Sequence, residues 1–328
     1  EGIEITHKNF KQRFSQKNNK LDVYAFFDEI IEEFEAKGKL KTASTYEQSK
    51  NALKRFYGKK TLRFSDIDVE FLNKLEADLS KTCTGNAISV YFRSIRALFN
   101  KAISRKICKA GHYPFYNNQN QRGYKIKQLE TPTRKRAIST EEIKKVLGYQ
   151  LEVESSLWDT KQMFLFSFYN MGMNFIDMAY LQWRNVAKDR IFYQRKKSKA
   201  QFSIKILKPV REILDYYRNF QNDLGYVFPV FNEFHKTDKQ KFIRIQTARK
   251  KFNDEIRIIA KLAGVKNYNE LTSYVIRHTW ASTMRSLGFS AGYIKEGFKH
   301  SDEKVTEIYL KEIENTAVDD MNEKLLDF

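Results

Sequence analysis

The segment Leu271-Thr-Ser-Tyr274-Val-Ile-Arg277-His278-Thr279-Trp280-Ala281 leads on to Gly297-Phe-Lys-His300-Ser-Asp-Glu-Lys-Val-Thr306-Glu-Ile-Tyr309. It holds two of the chain's five histidines beside an arginine and two tyrosines, side chains that hold charge or move protons. Apolar spacing predicts helices over 279–287 and 290–297, so these groups fall on or beside two short helices. Outward from this segment the same three- and four-residue spacing predicts helices over 157–171, 176–182, 209–221 and 247–263. One segment departs from it. Ile191, Tyr193, Arg195 and Lys197 alternate with Phe192, Gln194 and Lys196, and a second alternating run carries Phe202, Ile204 and Ile206, which predicts a β-hairpin with a basic tip.

The N-terminal part predicts four helices over 21–107. Tyr24, Phe27, Ile30, Ile31 and Phe34 form one stripe; Tyr46, Leu53 and Phe56 follow Thr42-Ala43-Ser44 and end at Gly58. Ser65-Asp66 can cap a third helix with Ile67, Phe71, Leu75 and Leu79, and a fourth runs from about Asn86 through Ile103. Residues 1–20 read as an extension and 108–136 as a basic linker, since ten basic residues and only Glu130 lie between Lys101 and Arg136. Ser139-Thr140-Glu141-Glu142 fits a capping box opening the second domain, 137–311. An acidic tail, 312–328, carries Val318, Met321, Leu325 and Phe328 at helical intervals.

Composition narrows the function. With 59 Lys and Arg against 40 Asp and Glu in 328 residues, the net charge of +19 points to a polyanionic partner. A hydrophobic share of 41% excludes wholesale disorder. A mean hydropathy of −0.62, with no apolar run near membrane length, excludes a membrane span. Cys83 and Cys108 stand apart without a CxxC or a Cys/His ladder, which argues against a disulfide scaffold or structural zinc and for a reducing compartment. No clustered acidic set has the spacing of a metal nuclease. The chain opens at Glu1 without methionine or targeting segment, so the gene product is expected to start upstream.

The opening segment resembles the C-terminal half of the tyrosine recombinase (phage integrase) catalytic domain: arginine before His-Thr-aromatic-Ala, then Gly-x-x-His-Ser, then tyrosine nine residues after that histidine. Gly172-Met-Asn174-Phe-Ile-Asp177 resembles that family's Gly-x-Arg-x-x-Glu/Asp helix, and Lys197-Ser198 its Lys-Thr motif, all in the family's order over about 137–312. The resemblance implies a mainly α fold with a small β-hairpin. It would be a two-domain DNA clamp, with a helical core-DNA-binding domain and a mixed α/β catalytic domain. It implies Tyr309 as nucleophile, Arg277 as phosphate clamp, Lys197 as general acid and His300 as supporting donor. These types suit metal-free and ATP-free phosphodiester transfer, because a phosphotyrosine ester conserves the bond and arginine binds the charged phosphorane.

Two positions depart from the pattern. Asn174 stands where the family has its first arginine, and Tyr274 where it has a histidine. A tyrosine still donates one hydrogen bond to a phosphate. An asparagine carries no charge, and strand alternation would place Arg195 on the face of Lys197, making it the best substitute. Asp177 at the family's acidic position reads as structural support. Lys101, Arg105, Lys106, Lys109, Arg122, Lys125, Lys127, Arg134, Lys135 and Arg136 are expected to meet DNA phosphates. The implied partners are double-stranded recombination sites, other copies forming a tetramer on DNA, and accessory DNA-bending or excision factors. The implied setting is the bacterial nucleoid. A weakened DNA-binding relative and a type IB topoisomerase-like enzyme are the alternatives to an integrase or invertase.

Overall fold

The computed structural model describes residues 22–131, 138–153, 155–220 and 223–299, and divides the chain into two compact units, Glu1–Thr133 and Arg134–Phe328. In the first, α1 (Val23–Ala36), α2 (Leu40–Tyr57), α3 (Val69–Leu79) and α4 (Gly85–Ser104) follow the predicted order. Three of the four starts carry a side-chain cap. Asp22 accepts from the Tyr24 amide at 2.9 Å, Asp68 from Phe71 at 2.7 Å and Thr84 from Ala87 at 3.4 Å. The expected cap at Ser65-Asp66 instead lies in a short 3-10 turn, and α2 starts before the Thr42-Ala43-Ser44 boundary. Gly58, at φ 70°, ends α2 in the left-handed conformation that glycine adopts most cheaply. Phe27, Ile30, Leu53, Leu72, Leu75, Phe92, Ile95, Leu98 and Phe99 close the core.

The expected linker 108–136 is, over its described residues 108–131, part of this core. Phe115, Tyr124, Ile126 and Leu129 are buried among the helices, and Phe115 pairs with Tyr124 through Tyr116 N–H to Tyr124 C=O (3.0 Å) and Tyr124 N–H to Pro114 C=O (2.8 Å). These apolar residues follow no helical period and alternate with lysines, so composition masks them. The nearby basic residues differ in what they can offer DNA. Arg105 pairs with Glu29 and Glu33, each at 2.7 Å, and Lys101 lies over the Phe34 ring. Lys106, Lys109, Arg122, Lys125 and Lys127 are exposed. Arg134, Lys135 and Arg136 lie outside the described residues.

The second unit is built around α6 (Trp158–Tyr169), whose Met163, Phe164, Phe166 and Phe168 are buried on more than one face. Around it lie α5 (Thr140–Gly148), α7 (Phe175–Ala179), α8 (Lys208–Arg218), α9 (Asp238–Leu262), α10 (Val275–Ser286) and α11 (Ala291–Phe298). Ser139 caps α5 from the Glu142 amide at 3.2 Å, but Glu142 does not return the bond; its carboxylate accepts from the Lys266 amide at 3.0 Å. Buried Lys161 donates to the Val146 and Leu147 carbonyls at the end of α5, and burial pulls its pKa down to about 8. Strands β1 (Arg190–Gln194) and β2 (Gln201–Lys205) pair antiparallel, with Ile191, Tyr193, Phe202 and Ile204 turned inward.

Three boundaries differ from the periodicity. Helix α9 begins at Asp238, because Thr237 and Gln240 form a capping box ahead of a polar first turn. Helix α10 begins at Val275, which puts Arg277 within it. Strand β1 stops at Gln194 and residues 196–198 turn, so alternation does not reach Lys197. His300, Tyr309 and the acidic tail lie outside the described residues. No helix among the described residues is long and apolar enough to cross a membrane.

The Phe115–Tyr124 pairing yields a stability test. A Cβ on Gly123 would sit 2.3 Å from the Phe115 carbonyl carbon and oxygen, whereas one on Gly111 meets nothing within 4 Å. Gly123→Ala is expected to cost about 1–3 kcal/mol through overpacking, and Gly111→Ala a few tenths at most. Denaturant unfolding of the two variants measures the difference.

Candidate active site

The turn after α6 fixes the site's first wall. Asn170 closes the helix with its side chain on the Phe166 carbonyl (2.8 Å), and Ser167 Oγ donates to the Met173 carbonyl (2.7 Å). Met171 and Gly172 both take positive φ, 56° and 64°. This turns the Gly172 carbonyl toward α10, where Arg277 Nη1 donates to it at 3.2 Å. A Cβ on Gly172 would stand 2.6 Å from Arg277 Cα and 2.9 Å from its Cβ, so glycine is what lets the two backbones meet.

From the other side, Arg277 Nη2 donates to the Phe298 carbonyl at 3.3 Å, and its guanidinium carbon lies 3.8 Å from the Phe298 ring centroid. Phe298 ends α11 and packs on Trp280, and Gly297 admits the Trp280 ring edge. Arg277 is thus only 2% exposed, with its plane set by two carbonyls and a ring. The residue that follows Lys299 is His300, so the chain leading to it is tied to Arg277 through Phe298. The Phe298 carbonyl was not foreseen from sequence; its signal is its place between Gly297 and His300.

The remaining described site residues divide. Tyr274, at the start of α10, is half exposed, its ring 4.6 Å from that of His278. His278 itself is buried, and burial with the neighbouring Arg277 charge pushes its pKa down to about 4. Lys197 is exposed in the hairpin turn. Lys196, beside it, places its ammonium 3.9 Å from the Tyr180 ring centroid, and its amide donates to Asp177 at 2.9 Å.

Asp177 therefore anchors the hairpin turn through the Lys196 amide. Its pKa is raised by burial, against the Lys196 amide and the Arg195 and Arg277 charges. Arg195 turns inward with Ile191 and Tyr193 and meets Asn174 and Asp177. The structure thus brings together Arg277, Asn174, Asp177 and Arg195. Among the described residues no group of three His, Cys, Asp or Glu side chains could hold a metal ion.

Comparisons with known proteins cover most of the chain. A family model described as Phage integrase SAM-like domain matches residues 22–121, and one described as Phage integrase family matches 136–315. The chain belongs to the phage integrase family, the tyrosine-type site-specific DNA recombinases. Among solved structures, a lambda integrase dimer bound to a COC′ core site matches with TM-score 0.64 at 14% identity, covering 93% of this chain and 81% of that one. The Tn1549 transposon integrase in complex with transposon right end DNA matches with TM-score 0.59 at 10% identity, covering 88% and 94%. No curated protein matches the chain.

Buried His278 gives the site a pH signature. From its ordinary 6.5 the folded-state pKa falls to about 4, so the unfolded chain takes up a proton that the folded chain refuses. The associated stability is complete above pH 6.5 and is lost as pH falls toward 4, about 2 kcal/mol of it by pH 5. His278→Gln is expected to lose that share of the difference in unfolding free energy between pH 7 and pH 5. Equal acid sensitivity of parent and variant would contradict it.

Proposed function

We propose that this recombinase cleaves and rejoins double-stranded DNA through a 3′-phosphotyrosine intermediate, as the integrase or invertase of a mobile element. The observation that carries the reading is Arg277: a buried guanidinium whose plane is fixed by the Gly172 and Phe298 carbonyls, inside the segment that the integrase family model matches. A guanidinium held in a set direction is the group that a phosphorane's nonbridging oxygens need.

In the proposed step the Tyr309 hydroxyl oxygen bonds to the scissile phosphorus and the bond to the 5′ oxygen breaks. The departing oxygen takes a proton from Lys197, and the phenol proton leaves toward His300 or water. The products are a 3′-phosphotyrosine and a free 5′ hydroxyl, and reversal rejoins the strand without metal or ATP. Tyr274 adds one hydrogen bond to the phosphate. The basic side chains exposed on the N-terminal unit, Lys106, Lys109, Arg122, Lys125 and Lys127, supply sequence-independent phosphate contacts.

The lambda and Tn1549 integrases above are described bound to DNA, and lambda integrase also as a tetramer on a Holliday junction. The same partners are proposed here: paired recombination sites and further copies of this chain, with accessory DNA-bending factors setting direction. The acidic tail 312–328 is proposed to dock on a neighbouring copy.

The test is a nicked substrate carrying the candidate site, resolved on a denaturing gel. Tyr309→Phe is expected to bind that DNA with parental affinity and to form no covalent adduct. An adduct formed equally by the variant would overturn the assignment.

A further inference from the structure

Asn174 leaves the phosphate site one guanidinium short, and the hairpin delivers one to the same place. Arg195 continues the inward-facing series Ile191 and Tyr193, and only 13% of its side chain is exposed. With its oxygen turned to the guanidinium, the Asn174 amide accepts from Arg195 Nε at 3.2 Å and from Nη2 at 2.9 Å. The Asp177 carboxylate approaches Nε only to 3.9 Å, and its other oxygen holds the Lys196 amide.

These distances separate a structural ion pair from a held cation. An arginine buried for an ion pair engages its carboxylate at about 2.7–2.9 Å, often through two bonds. Arg195 gives its hydrogen bonds to a neutral amide, so Asn174 fixes the guanidinium without neutralising it. Arg277 reaches the same strip of backbone, because its Nη1 binds the carbonyl of Gly172. Gly172 and Asn174 are two residues apart, at most about 7 Å along the chain. The charges of Arg195 and Arg277 both act on Asp177.

We infer that Arg195 supplies the second guanidinium of the phosphate site and that Asn174 is the residue that positions it. The inference rests on the recombinase reading above. Asn174 occupies the Nε edge of the fork, and the Nη1 end is directed to a nonbridging phosphate oxygen. The position of the missing arginine is thus a receptor for an arginine borne by another element. An arginine placed at 174 while Arg195 remains would bring two like charges together and remove the acceptor.

The experiment measures covalent adduct formation on a nicked substrate, with DNA affinity and thermal unfolding of each variant recorded alongside. Arg195→Lys, which keeps charge but not the fork, is expected to slow adduct formation by about a hundredfold or more, with affinity and melting near parental. Asn174→Leu, which removes the acceptor, and Asn174→Asp, which keeps an acceptor but cancels the charge it holds, are both expected to slow it. Asn174→Arg alone is expected to be impaired, and Asn174→Arg combined with Arg195→Ala to be faster than either single variant, a rescue that a merely structural role would not produce.

Parental adduct formation by Arg195→Lys overturns the inference. A double variant no faster than Arg195→Ala overturns the part assigned to Asn174. A parental protein that binds DNA without forming any adduct removes the recombinase reading itself, and with it the inference.

Discussion

Arg277 is held between the carbonyls of Gly172 and Phe298, and that contact ties separate parts of the C-terminal unit together at the candidate site. It joins three pieces of chain: the turn after α6, the first turn of α10, and the end of α11. A buried guanidinium is costly unless its donors are met, so the fold must bring carbonyls to it. The positive φ of Met171 and Gly172 does so on one side, and the seating of Phe298 on Trp280 does so on the other. The polar residues buried nearby serve the same turn: Ser167 donates to the Met173 carbonyl beyond α6, and the Asn170 side chain adds a second bond to the Phe166 carbonyl that its own amide already meets.

Much of this was legible in the sequence, and the reason is spacing. Arginine, histidine and tyrosine at fixed intervals, with glycine ahead of them, specify which elements meet, so Arg277, Asn174, Asp177 and Arg195 could be named before their geometry was known. Helix existence followed from apolar period. Boundaries failed where polar chemistry set them: Asp68 supplanted Ser65-Asp66, and Thr237 with Gln240 opened α9 among charged residues. The segment 108–131 misled because its buried aromatics are scattered among lysines and keep no helical period. The hairpin face was inferred for Lys197 by alternation, yet alternation holds only while the ladder lasts, and that ends with the Gln194–Gln201 pair. The proximity of Arg195 to Asn174 survives because Arg195 directly follows the last paired residue.

Electrostatics divides labour between the units. The surplus of positive charge is a long-range property that concentrates any polyanion near the surface and weakens with salt. It carries no chemistry. The proposed site draws instead on buried, fixed guanidinium groups, where a neutral acceptor such as the Asn174 amide or a main-chain carbonyl orients a cation without cancelling it. Arg105 shows the contrast: paired with Glu29 and Glu33, it ties α4 to α1 and its charge is satisfied within the fold.

The central claim is that a carbonyl-fixed guanidinium at Arg277, and not positive charge alone, makes this protein a DNA-cleaving enzyme. The direct measurement is the rate of covalent adduct formation by Arg277→Lys on a nicked site, at DNA concentrations that saturate binding. A lysine keeps the charge but cannot span the Gly172 and Phe298 carbonyls while binding two phosphate oxygens. The account predicts a loss of about a hundredfold or more in that rate with DNA affinity retained. Adduct formation at the parental rate would contradict it.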